Sequence, residues 1–81
     1  MARVSLSSNL VPYTGGETAL ELDVGNVRQL FRALGERYPD LAPHLEAELA
    51  VAIDGVIYQD SLLAPTGPDS EVMLFNKIAG G

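Results

Sequence analysis

The group with the most distinctive chemical potential in this sequence is the carboxylate of Gly81, which ends the stretch Asn76-Lys77-Ile78-Ala79-Gly80-Gly81. A carboxylate is a poor electrophile until a partner converts it to an acyl phosphate or adenylate, after which its carbonyl carbon accepts nucleophiles. Gly80 and Gly81 lack Cβ atoms, so their backbone can pass through a narrow channel and adopt φ values closed to other residues. Extended at about 3.3 to 3.6 Å per residue, Lys77 to Gly81 reaches roughly 17 Å, enough to enter an enzyme cleft. Glycines also occur in terminal segments with no task. What favours a task here is the apolar run Glu71-Val72-Met73-Leu74-Phe75 just upstream, which has the length and bulk of a buried strand. The expectation is a flexible tail, residues 76–81, launched from a rigid domain, residues 1–75.

Other candidate chemistry is sparse. His44 is the only histidine and has no nucleophile or second histidine beside it, so it is assigned no role. Glu46, Glu48, Asp54, Asp60, Asp69 and Glu71 are scattered carboxylates whose spacing demands neither a metal nor an acid/base pair. Gly15-Gly16 is not followed by the Lys-Ser/Thr pair of a phosphate loop. With no cysteine, the chain has no disulfide, thiol nucleophile or thiolate metal site. An independent enzyme is the class these residues support least. A net charge of −6, from eleven acidic against five basic residues, argues against nucleic acid and anionic membrane surfaces as partners. The N-terminal residues lack the apolar core of a signal peptide and no run approaches membrane-spanning length, so the chain reads as soluble and cytoplasmic.

Eighty-one residues form one small domain near the lower limit for a self-sufficient core. Val4 and Leu6 alternate with polar neighbours, which predicts a first strand. Asn9 to Gly16, with Pro12 and two glycines, reads as a hairpin connection. Thr18, Leu20, Leu22 and Val24 then alternate with Glu17, Ala19, Glu21 and Asp23, a second strand with one wet face. Asn26 is placed as a helix N-cap with Gln29 three residues on, the spacing of a capping box. Val27, Leu30, Phe31, Leu34 and Tyr38 form a helical stripe that Pro39 terminates. The interval 40–48 reads as connection with a hint of a helical turn.

Asp54-Gly55 predicts a two-residue hairpin between Leu49-Ala50-Val51-Ala52-Ile53 and Val56-Ile57-Tyr58. Residues 59–69 read as loop before the final strand. The order ββαβββ packs one main helix on a sheet, an α+β domain with a single core. If Val72 and Leu74 face the helix, Met73 and Phe75 face away. Two readings stand for them: an exposed docking patch beside the tail, which is favoured, or a surface covered by the loop 59–69.

The small size, this order of elements, the hairpin in Val51-Ala52-Ile53-Asp54-Gly55, the lead-in Asp69-Ser70-Glu71-Val72 and the terminal Gly80-Gly81 together resemble the MoaD/ThiS sulfur carriers, ubiquitin-like proteins of the β-grasp fold. The resemblance spans essentially the whole chain. Val27 to Pro39 looks like the helix of the MoaD branch, the molybdopterin synthase small subunit. One departure is that MoaD proteins commonly carry a proline pair where this chain has Asn76-Lys77.

The resemblance implies a mixed sheet and a carrier that binds no cofactor or metal itself. An E1-like enzyme would use ATP and Mg²⁺ to adenylate Gly81, and a sulfur donor enzyme would leave a C-terminal thiocarboxylate. The tail would then insert into a larger molybdopterin synthase subunit and donate sulfur for the molybdenum cofactor. Gly81 would be the acceptor and Gly80 the residue that lets it pass, with Met73, Phe75, Lys77, Ile78 and Ala79 contacting partners. A ThiS-like carrier for another product and a ubiquitin-like protein modifier are the alternatives.

Overall fold

A computed structural model describes residues 1–77. Five strands, β1 (Ala2–Leu6), β2 (Ala19–Leu22), β3 (Leu49–Ile53), β4 (Val56–Tyr58) and β5 (Glu71–Asn76), form one sheet in the order β2-β1-β5-β3-β4. The sheet is mixed. β1 lies parallel to β5 in the register Val4↔Val72 and Leu6↔Leu74, while β1/β2, β3/β5 and β3/β4 are antiparallel. The final strand therefore occupies the centre, flanked on both sides, and the expected division at residue 75 falls inside it.

The main helix, α2 (Val27–Arg37), packs on one face of this sheet. Its stripe Val27, Leu30, Phe31, Leu34 and Tyr38 is buried, and it meets Val4, Leu6, Val51, Ile53, Val72 and Leu74 in one core. Leu20 and Leu22 are only half-buried because β2 is an edge strand, and Val24, just past its end, is half-buried too. Five strands on one main helix in the order ββαβββ is the architecture anticipated above.

Three local arrangements fix the helix. Asn26 Oδ1 accepts from the Gln29 N–H at 2.9 Å, the predicted cap. The return bond of the box is displaced by one residue: Gln29 Oε1 accepts from the Gly25 N–H at 2.7 Å. The next two orphan donors are met from a distance, Val27 N–H by the Ala64 carbonyl at 3.1 Å and Arg28 N–H by the Leu62 carbonyl at 2.8 Å. Thr66 completes this clamp by donating its hydroxyl to the Val24 carbonyl at 2.6 Å. The loop 59–69 is thus a cap for the start of α2.

The two connectors carry more structure than periodicity predicts. Where a plain hairpin connection was expected, Ser8–Leu10 is a 3-10 turn that leads into a one-turn helix, α1 (Val11–Thr14), which Gly15 closes at φ 67°. After α2, Ala42–His44 is a second 3-10 turn followed by α3 (Leu45–Glu48). Gly35 allows the second turn to come close, for a Cβ built there would stand 3.3 Å from that of Ala42. The connectors touch through Tyr13 and His44, whose ring centroids are 4.5 Å apart, and His44 Nδ1 lies 2.6 Å from Glu48 Oε2. At the end of α2, Tyr38 donates its hydroxyl to Glu17 at 2.8 Å and accepts from Arg37 Nε at 3.2 Å. Burial, acting against the nearby Arg37 guanidinium, raises the Tyr38 phenol above its ordinary range.

Candidate functional site: the outer sheet face and the exit of the chain

Alternation along β5 puts Val72 and Leu74 into the core and presents Met73 and Phe75 on the opposite face of the sheet. The parallel register sets Ser5 beside Met73, and the antiparallel one sets Ala52 on its other side. Both flanking side chains are small. Met73 consequently stands out of the sheet, 51% exposed, and the loop 59–69 does not cover it, since that loop is bonded to the start of α2. For Met73 the covered reading is excluded.

One apolar residue of the patch was not anticipated. The two-residue turn at Asp54 (φ 49°) and Gly55 (φ 88°) pairs Ala52 with Ile57, which places Ile57 on the same face as Met73, 54% exposed. The signal was present in the sequence, because a two-residue hairpin dictates which residues oppose each other. Together Met73, Ile57 and Phe75 surround a shallow hollow of about 770 Å³ floored by Ser5 and Ala52. Phe75 is half-buried and pairs with Ala50, which is fully buried although it lies outside the main core cluster.

The far end of the hollow is polar. Arg3 Nη2 meets Glu71 Oε1 at 2.9 Å, and Asp54 ties the hairpin turn to β5 by accepting from the Glu71 N–H while donating its own N–H to the Glu71 carbonyl, both at 2.9 Å. Glu71 begins β5, so this end lies opposite Asn76 and Lys77. The platform is therefore charged at one edge and apolar toward the side where the chain leaves the sheet.

The exit itself is built. Lys77 donates its backbone N–H to the Glu48 carbonyl at 2.8 Å, and its ammonium donates to the Glu46 carbonyl at 2.9 Å and to Asp60 Oδ1 at 2.8 Å. A proline at this position could not make the first of these bonds, which gives a physical sense to Asn76-Lys77 in place of a proline pair. Four residues follow Lys77, a covalent reach of about 14 Å. Ile78, Ala79, Gly80 and Gly81, the remaining predicted site residues, lie outside the described residues.

Among the described residues no group of three or more His, Asp or Glu side chains could hold a metal ion, and no helix is long and apolar enough to cross a membrane. The face offers shape, apolar area and a fixed point of departure for the chain.

No protein-family model matches the chain and no curated protein matches it. Among solved structures, it is similar over 100% of both chains to a component of the Amycolatopsis orientalis BexX/CysO complex, with a TM-score of 0.83 at 19% identity. Small archaeal modifier protein 1 of Methanosarcina acetivorans is similar over 99% of this chain and 95% of its own, with a TM-score of 0.78 at 19% identity. A candidate molybdopterin converting factor, subunit 1, from Pyrococcus furiosus matches over 95% of this chain and 97% of its own, with a TM-score of 0.72 at 20% identity. Identities this low speak for the fold, which is that of the ubiquitin-like β-grasp proteins.

Proposed function

We propose that this chain is a sulfur carrier whose cargo is held at Gly81. An E1-like partner adenylates the carboxylate with ATP and Mg²⁺, a sulfur donor enzyme replaces AMP, and the resulting thiocarboxylate is delivered to an acceptor through the tail. The observation that carries this reading is the conjunction of a β-grasp domain with a sequence that ends in Gly80-Gly81 a few residues after the central strand, whose outer face presents exposed Met73 and Ile57 beside a half-buried Phe75. The chain's own residues supply docking, direction and steric access. Both the activation chemistry and its cofactors belong to the partners.

For the acceptor, the reading preferred is the larger subunit of a molybdopterin synthase, in the cytoplasm, with the sulfur passing to a pterin precursor. It is supported by the sequence resemblance of Val27 to Pro39 and by the likeness to the Pyrococcus furiosus protein. A second reading, conjugation of Gly81 to lysines of target proteins, is favoured by the likeness to small archaeal modifier protein 1.

The test is intact-mass analysis of the chain after incubation with its co-purifying activating enzyme, ATP, Mg²⁺ and a sulfur donor. A mass gain of one oxygen-to-sulfur exchange at Gly81 is the expected result, and its absence would sink the carrier reading. Sulfur transfer to a pterin precursor, reconstituted with the larger subunit, separates the molybdopterin pathway from other products. Ladders on a blot that vanish when Gly81 is deleted would instead favour the modifier.

A further inference from the structure

The sequence contains a single lysine, Lys77, four residues ahead of Gly81. An acyl group activated at Gly81 is an electrophile, and in a chain without cysteine the strongest nucleophiles of its own are the Lys77 amine and the N-terminal amine. Attack by Lys77 Nζ would form a C–N bond to the Gly81 carbonyl carbon and break that carbon's bond to the leaving AMP oxygen or thioester sulfur. The leaving group would depart as AMP or thiolate and the amine proton would pass to solvent. The product is an isopeptide, either a ring within one chain or a link between two copies, and in both the carrier is spent.

The geometry at Lys77 opposes that reaction. An ammonium has three donors and no lone pair. Two of those donors are engaged, by Asp60 Oδ1 at 2.8 Å and by the Glu46 carbonyl at 2.9 Å, and the side chain is only 23% exposed. Its backbone N–H is bonded to Glu48, so the whole residue is held against α3 and the segment that follows β4.

We propose that Asp60 and the Glu46 carbonyl form a latch that withholds the chain's one side-chain amine from the activated Gly81, keeping that carbonyl carbon for the incoming sulfur. Lys77 is then a positioning residue for the tail and a silenced nucleophile. The proposal rests on reading Gly81 as the acyl-carrying residue. Asp60 is 85% exposed, so its release raises amine reactivity about fivefold rather than by orders of magnitude.

The experiment uses the full chain bearing a chemically installed thioester on Gly81, with no activating enzyme present. Wild type, Asp60→Ala and the double variant Asp60→Ala/Lys77→Arg are checked for folding by circular dichroism, then followed by intact mass and peptide mapping. Wild type is expected to lose its thioester by hydrolysis, while Asp60→Ala forms the Lys77–Gly81 amide about fivefold faster and the double variant forms none. In parallel, a brief pulse of a small acylating reagent on chains with a free C-terminus is expected to label Lys77, relative to the N-terminal amine, about fivefold more in Asp60→Ala. Equal amide formation and equal labelling in wild type and Asp60→Ala would overturn the latch. Neither assay depends on enzymatic oxygen-to-sulfur exchange, so a failed latch and a failed exchange are separate results.

Discussion

Neighbouring residues 73 and 74 provide the sharpest test of the platform, because the structure assigns them opposite fates. Leu74 is completely buried between sheet and helix, whereas Met73 is 51% exposed on the other face. Replacing Leu74 by alanine removes buried methyl groups and leaves a cavity, a loss of about 3 to 5 kcal/mol. For a domain of 81 residues the whole stability is of order 4 to 12 kcal/mol. Its unfolding entropy, at about 2.1 cal/mol/K per residue, is about 0.17 kcal/mol/K, so even 3 kcal/mol lowers Tm by about 18 °C.

Met73→Ala, in contrast, is expected to stay within about 0.5 kcal/mol, or about 3 °C. Urea and thermal melts of the two variants by circular dichroism measure both values. The companion variant Met73→Glu should melt like wild type yet reduce oxygen-to-sulfur exchange at Gly81 about tenfold, the loss of one docking anchor. Comparable destabilisation by Met73→Ala and Leu74→Ala would refute the assignment of faces. Unchanged sulfur loading of Met73→Glu would refute the docking role.

Adding one alanine after Gly81 is expected to leave the melting curve unchanged and abolish thiocarboxylate formation, as read by intact mass; normal yield would contradict the steric argument for a terminal glycine. Asn26→Ala removes the cap bond to Gln29 and should lower stability by about 1 kcal/mol in urea titrations, with no change in slope. The Tyr38 phenol is raised above 10.0 in the folded chain, chiefly by burial. Its contribution is therefore complete below the unfolded value near pH 10 and is lost as pH rises from there through the folded value. Denaturation midpoints measured across this alkaline range should fall more steeply for wild type than for Tyr38→Phe.

What was legible in the sequence follows from the range of the interactions involved. Strand alternation, the stripe from Val27 to Tyr38, the Asn26 cap and the Asp54-Gly55 turn are set by residues within a few positions of each other, and each is found. α1 escaped, and α3 was visible only as the hint of a turn in 40–48, because four residues make barely one turn, too few to display a period. The clamp of residues 62–66 on the start of α2 depends on backbone groups nearly forty positions away, and backbone donors and acceptors leave no mark in side-chain identity. The outer sheet face was half legible. Met73 and Phe75 followed from alternation, Ile57 needed the hairpin register, and the anchorage of Lys77 needed the path of a chain that brings Glu46, Glu48 and Asp60 to one point.

The parallel placement of β1 and β5 at the heart of the sheet bears on how the molecule withstands tension. When a partner grips the end of the chain and thermal motion drags the domain away, the load enters β5 along its own axis. The ladders to β1 and β3 then resist sideways sliding together, instead of opening one rung at a time. On the carrier reading proposed above, a domain withdrawn by its end from a tight cleft would be tethered through the strand hardest to peel away.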